Sequence, residues 1–191
     1  SGSSFGYAFT SMGDIDGDGC DEFASSTFGS YTSGFEYSGA VKIIWGWGGQ
    51  NCPPEPQVTA LIADATYPSG IHPYKKLAAD ISGGLDIDGD DIPDLVSSSL
   101  GYQSSGNRNG VVWLTSGAYI LGLPRHYLSN GYLPLEADTV YSPLIPAVSP
   151  LPLSGFEATD EFGLNLELVP SEDGTEAVWL AIQAPLRNAG G

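Results

Sequence analysis

Two nine-residue stretches carry carboxylates at their first, third, fifth and ninth positions. They are Asp14, Asp16, Asp18 and Glu22 in the first, and Asp86, Asp88, Asp90 and Asp94 in the second. The copies start 72 residues apart, at Asp14 and at Asp86. Alternate carboxylates on a tight loop turn several hard oxygens toward one point. That is the donor set of calcium, which takes six to eight oxygens at roughly 2.3–2.6 Å. One acidic cluster reads as a solvated turn, but two with the same internal spacing read as a repeat. The EF-hand is excluded, because its loop needs a Gly at position six and a Glu at position twelve. Position six is Gly19 in one stretch and Asp91 in the other, and position twelve is Ser25 or Ser97. After the ninth position come Phe23-Ala24-Ser25-Ser26 and Leu95-Val96-Ser97-Ser98, short runs that read as strands. The expectation is a strand–loop–strand metal site, built twice.

The surroundings of these loops carry a resemblance. Ser4-Phe5-Gly6-Tyr7-Ala8-Phe9 precedes the first loop, and Ser38-Gly39-Ala40-Val41-Lys42-Ile43-Ile44 follows it. That order resembles the FG-GAP repeat of integrin α-subunit β-propellers. In the second copy Leu77-Ala78 stands in the Phe-Gly place, and Gly110-Val111-Val112-Trp113-Leu114 supplies the closing strand. A third copy starts at Asp160-Glu161-Phe162-Gly163 and runs through Ala177-Val178-Trp179-Leu180-Ala181-Ile182. Its loop, Ser171-Glu172-Asp173-Gly174-Thr175-Glu176, lacks the alternate Asp ladder and is not expected to hold a metal. The resemblance implies an all-β fold of propeller blades and two Ca2+ sites. Asp14, Asp16, Asp18 and Glu22 would serve one ion, with the Cys20 carbonyl. Asp86, Asp88, Asp90 and Asp94 would serve the other, with the Ile92 carbonyl. Glu22 departs from the Asp usual in the family at that position.

The resulting division is repeat 1 over 1–50 with its loop at 14–22, a connection and strand over 51–76, and repeat 2 over 77–117 with its loop at 86–94. A Pro-rich connection over 118–155 and a truncated repeat 3 over 156–191 complete it. Two repeats and part of a third do not close a ring of about four to eight blades. The expectation is therefore either a segment of a longer propeller or a chain whose blades are completed by neighbouring copies.

Composition supports many short strands: 26 Gly and 14 Pro stand beside ten Tyr and a single Met. Six Lys plus Arg against 23 Asp plus Glu give a formal net charge of −17, which argues against nucleic acid or an anionic membrane as partner. No apolar run reaches the roughly 18 residues of a membrane span, so membrane insertion is not expected. Val41, Ile43, Trp45 and Trp47 alternate with other residues at the period of a half-buried strand. For the two tryptophans, packing is favoured over a sugar-stacking platform. Cys20 and Cys52 are the only cysteines, and the alternatives are a disulfide or two buried thiols. The prolines at 134, 143, 146, 150 and 152 argue against a long helix in the connection.

Enzyme readings find little support. The only histidines, His72 and His126, sit in no zinc or nucleophile motif. The best-spaced acids are already taken as metal ligands, so no catalytic residue is assigned. The function expected from the resemblance is adhesion or recognition of a protein or glycan ligand, outside the cell or at its surface. The alternatives are a structural subunit assembled from copies of itself, and an accessory domain of a larger secreted enzyme. The step from fold to function is one of analogy.

Overall fold

The computed structural model describes residues 4–28, 39–63, 77–100, 103–104, 107–108, 111–127, 141–144, 153–154, 163–171 and 178–183. These residues are nearly all strand. In chain order they are β1 (Ser4–Gly13), β2 (Glu22–Phe28), β3 (Ala40–Trp45), β4 (Gln57–Ala63), β5 (Leu77–Leu85), β6 (Asp94–Ser99), β7 (Gln103–Ser104), β8 (Asn107–Arg108) and β9 (Val111–Thr115). The helix α1 (Gly117–Leu121) follows, then β10 (His126–Tyr127), β11 (Tyr141–Leu144), β12 (Leu153–Ser154), β13 (Leu166–Pro170) and β14 (Val178–Ile182).

Two four-stranded antiparallel meanders dominate. The first runs β1-β2-β3-β4 and the second β5-β6-β9-β12, with β7 and β8 forming a small hairpin between β6 and β9. The pair β13–β14 forms a separate antiparallel sheet. The segment expected as a Pro-rich connection holds more structure than a plain loop. Between β9 and β12 the chain forms α1, then returns to the first sheet, where β10 pairs antiparallel and β11 parallel along β4. Of the second sheet, α1 and the first sheet, all three feed one core.

β3 is buried on both faces rather than half-buried as the alternation predicts, and its period-two set faces one core. Val41, Ile43 and Trp45 of β3 meet Met12 and Ala24 from the first sheet, Ile15 from the loop between β1 and β2, and Ala78, Ile81, Leu95 and Trp113 from the second sheet, with Ile120 of α1. A second core joins Val96 and Val112 to Leu166 and Leu168 of β13. Neighbours on β6 thus serve opposite cores, Leu95 one and Val96 the other, as side-chain alternation requires. Fully burying each large apolar side chain contributes about 1.5–3 kcal/mol. Cys20 and Cys52 are joined by a disulfide, with Cα atoms 5.9 Å apart and a sequence separation of 32. Closing a loop of that size removes on the order of 3–4 kcal/mol of chain entropy from the unfolded state.

The 72-residue sequence period is also a period of irregularities. The β1–β2 register shifts between Phe5 and Phe9 and again between Ser11 and Gly13. The β5–β6 register shifts between Leu77 and Ile81 and between Gly83 and Leu85. A bulge frees a backbone N–H from the ladder, and a buried one needs a partner. The same hydroxyl supplies it twice: Ala8 donates its N–H to Ser26 Oγ at 2.8 Å, and Asp80 donates to Ser98 Oγ at 3.0 Å. Successive repeats are also stitched alike. Gly83 donates its N–H to Thr10 Oγ1 at 3.1 Å, and Leu168 donates to Ser82 Oγ at 3.0 Å. Thr10 and Ser82 are the same repeat position.

The Phe-Gly element has a backbone cause. Gly6, Ala78 and Gly163 hold equivalent places with φ of 77°, 60° and 90°. An L side chain in that region costs roughly 1–2 kcal/mol. Ala78 is fully buried in the first core, so its strain is partly offset by its methyl. At Gly163 a Cβ would also lie 2.7 Å from Ser98 Cβ and 3.2 Å from Val112 Cγ2. In urea unfolding, Ala78→Gly should raise stability slightly. Relief of about 1–2 kcal/mol outweighs a lost buried methyl of about 0.8 kcal/mol. Gly163→Ala should lower stability by roughly 2–3 kcal/mol, because overpacking adds to the strain. Equal responses at the two positions would refute the shared backbone constraint.

Candidate metal centre

Each acidic loop joins the first strand of a meander to the second. Residues 14–21 link β1 to β2, and residues 86–93 link β5 to β6. The first-position carboxylate gathers the turn. Asp14 Oδ1 accepts the N–H of Gly17 at 2.8 Å and of Asp18 at 3.1 Å, and its Oδ2 that of Gly19 at 2.9 Å. Asp86 repeats this with Gly89 at 2.7 Å, Asp90 at 3.3 Å and Asp91 at 2.7 Å. The fifth position braces the seventh: Cys20 donates its N–H to Asp18 Oδ1, and Ile92 to Asp90 Oδ1, both at 2.9 Å. Successive N–H groups point inward toward the carboxylates, so three acids are held close despite their repulsion.

Asp14, Asp16 and Asp18 each offer an oxygen within 4.8 Å of the others, and Asp86, Asp88 and Asp90 do the same. Each carboxylate oxygen has two acceptor sites, so a hydrogen-bonded oxygen can still meet a cation. All-carboxylate donors suit a hard divalent ion. Asp18, Cys20 and Cys52 also lie within reach of one another, but both sulfurs are in the disulfide and offer no thiolate. A soft-metal site is not available there.

The ninth-position acids are placed differently. Glu22 is 1% exposed and Asp94 0% exposed. Glu22 Oε2 accepts the N–H of Ile15 at 2.9 Å, and its Oε1 that of Gly46 at 3.0 Å. Asp94 Oδ2 accepts from Ile87 at 2.7 Å and Asp88 at 3.2 Å, and its Oδ1 from Gly117 at 2.9 Å. The ninth acid therefore ties the loop to the residue beyond the third strand (Gly46 just after β3, Gly117 just after β9 and Ser116). Both of those residues are glycine because the loop backbone fills the space of a side chain. A Cβ on Gly46 would lie 2.7 Å from Cys20 Cβ and 3.0 Å from Asp21 O, and one on Gly117 would overlap Pro93 O. The sequence reading missed these glycines. Their signal was a Gly at the end of the closing strand in both copies.

Arg125, which follows α1, was also missed. Its Nη1 donates to Asp16 Oδ2 at 2.7 Å, and its guanidinium lies 3.4 Å from the Trp45 ring centroid. Trp45 is thus a packed core residue, while Trp47 is exposed. Residues 172–176 of the third-repeat loop, all but Ser171, and His72 lie outside the described residues.

Burial pushes the Glu22 carboxyl up to about 7. The N–H groups of Gly46 and Ile15 oppose this, and the charges of Asp16 and Asp18 add to it. Asp94 is raised for the same leading reason, burial, against the N–H groups of Gly117 and Ile87. At Asp86 burial also pushes upward, but the N–H groups of Gly89, Asp91, Asp90 and Asp88 together outweigh it and lower the pKa.

No protein-family model matches this chain, and no curated protein matches it. Among the described residues, no helix is long and apolar enough to cross a membrane.

A carboxyl whose pKa is raised by folding binds its proton more tightly in the native state. Its contribution to stability is complete below the unfolded value of 4.5 and is lost as pH rises through about 7. Asp86 has the opposite sign, but its window lies below the ordinary Asp value of 3.8. In chelator, wild-type protein should lose more stability between pH 5 and pH 7.5 than Glu22→Gln does, as read by urea midpoints. Parallel pH profiles for the two proteins would show that Glu22 does not titrate in this window.

Proposed function

We propose that this chain is a calcium-binding, all-β repeat module of an extracellular protein, acting in adhesion or in recognition of a protein or glycan ligand. The observation that carries the reading is the duplicated loop. The same carboxylate arrangement is built at Asp14–Glu22 and at Asp86–Asp94, at equivalent strand junctions, with three acids in each within 4.8 Å of one another. Bound calcium would supply the positive charge that offsets carboxylate repulsion and would fix each loop between its strands. The chain's own part is to aim the oxygens. Asp14 and Asp86 wind the turn, Asp18 and Asp90 brace it, and Glu22 and Asp94 anchor it to the third strand.

The two meanders are read as successive blades of an integrin-α-like propeller of FG-GAP repeats, with β13–β14 beginning a third. Support comes from consecutive antiparallel order, cores between successive sheets, and the shared stitch from Thr10 to Gly83 and from Ser82 to Leu168. The extracellular setting is supported by the Cys20–Cys52 disulfide, since such bonds persist in oxidising compartments.

A second reading, a structural subunit completed by copies of itself, is favoured by one observation. Val169 and Trp179 are register partners on β13–β14, and both are exposed, Trp179 by 67%.

Calorimetry and native mass spectrometry on chelator-stripped protein should find two calcium ions per chain, and Asp88→Asn should remove one. Thermal stability should rise with calcium, by about 2.7 kcal/mol per site at a hundredfold excess over Kd. Magnesium should bind more weakly, because the loops supply many oxygens to one ion. Absence of calcium uptake would overturn the reading. Sedimentation of the same samples separates the two roles, since a self-completing subunit polymerises and a recognition module does not.

A further inference from the structure

The two acidic loops are built alike, but their surroundings differ. At the first loop, Asp16 Oδ1 accepts the Asp18 N–H at 3.2 Å while Oδ2 is held by Arg125 at 2.7 Å. Each oxygen of that third-position acid thus has a protein partner, and one of the two faces a full positive charge. At the second loop, Asp88 holds the same position, and no described cation pairs with it.

Arg125 is not a casual surface partner. Its guanidinium carbon lies over the buried Trp45 indole, 3.4 Å from the ring centroid. The edge of the same indole fixes the backbone next door: Trp45 Nε1 donates to Thr59 Oγ1 at 2.9 Å, and Thr59 Oγ1 donates to the Pro124 carbonyl at 2.9 Å. One aromatic ring thus sets both the residue before Arg125 and the place of its guanidinium. The pair is only partly solvated, with side chains 28% exposed for Arg125 and 12% for Asp16. A guanidinium is weakly hydrated and keeps its charge at any working pH, so it is suited to such a place. Stacking on an indole face adds attraction beyond the ion pair.

Such a fixed charge beside three carboxylates has two consequences. In the absence of metal it neutralises part of their repulsion and keeps Asp16 in position. When a divalent cation arrives, the two compete for the same Asp16 carboxylate and repel each other across a short distance. We propose that Arg125 is the resident counter-cation of the first loop, steadying it without calcium and lowering its calcium affinity when calcium binds. This inference rests on the calcium reading of the loops. It makes them unequal, with occupancy of the first opposed by the Arg125 charge and occupancy of the second independent of it.

The test is calcium calorimetry on full-length wild type, Arg125→Gln and Arg125→Lys, each also with Asp88→Asn to isolate the first loop. Far-UV circular dichroism in chelator first establishes that each variant folds. Arg125→Gln should tighten first-loop binding about tenfold, the scale of a single partly screened charge. Arg125→Lys, which keeps the charge but not the stacked plane, should fall between wild type and Arg125→Gln, and second-loop affinity should be the same in all three. A purely structural strap predicts the opposite sign, because removing it loosens the loop and weakens binding. Unchanged or weaker first-loop binding in Arg125→Gln, with the second loop still binding, overturns the counter-cation alone. If neither loop of wild type binds calcium, the calcium reading falls and this inference falls with it. A metal-independent arm is a double-mutant cycle of Arg125→Gln and Asp16→Asn by thermal melting in chelator. The two effects should be non-additive, and additivity would overturn the pairing itself.

Discussion

A carboxylate held out of water at the junction of loop and sheet is the constraint on which both repeats depend. Glu22 and Asp94 are buried, and a buried charge is tolerated only where hydrogen-bond donors surround it. The donors come from two directions: Ile15 and Ile87 within the loop, and Gly46 and Gly117 beyond the third strand. Leaving any of these buried groups without its partner costs about 1–3 kcal/mol. The loop shape, the end of the third strand and the glycine at that end are therefore one solution rather than three features. At Glu22 burial outweighs these donors and raises the pKa of the carboxyl.

The same reasoning extends between repeats. Bulges in β1 and β5 release N–H groups that Ser26 and Ser98 capture, and they leave Thr10 and Ser82 free to accept from the next repeat. Each such bond contributes about 0.5–1.5 kcal/mol net. Burial of Leu95, Trp113, Val96 and their partners contributes more in sum. The cores therefore hold the sheets together, while the hydroxyls fix the phase in which one repeat meets the next. Asp80 adds a bond of its own to the Leu166 N–H at 2.6 Å, which Ala8 in the first repeat has no side chain to match.

Much of this was legible in the sequence because it is local. The acidic ladder, the alternation through Val41, Ile43 and Trp45, and the strands after each loop depend on residues a few positions apart. Leu77-Ala78 looked like a poor match to Phe-Gly, yet Ala78 adopts the same left-handed backbone as Gly6 and Gly163. Backbone demand persisted where residue type did not. What sequence did not reveal is long-range. Arg125 reaches Asp16 across 109 positions, and no spacing rule connects them. The return of β10 and β11 to β4 was hidden for a related reason. Tyr141–Leu144 contains Pro143, which argues against a central strand but is compatible with the edge position that it takes.

Two of the cations, Lys42 and Arg125, sit in very different places. With 23 acids against six Lys plus Arg, ordinary surface pairing cannot neutralise this chain. Lys42 is 2% exposed on β3, and burial lowers its pKa, so it is removed from the surface balance. Arg125 goes to the first loop. Eight of the acids lie in the two ladders, where repulsion is strongest because backbone N–H groups hold them together. A loop wound this tightly stores like charge that its own chain can relieve only in part. Arg125 relieves the first loop by one charge through a side chain that the fold positions on Trp45. Among the described residues, no ion pair of this kind is made at the second loop. At the first loop, therefore, the fold itself places a positive charge against the acidic ladder.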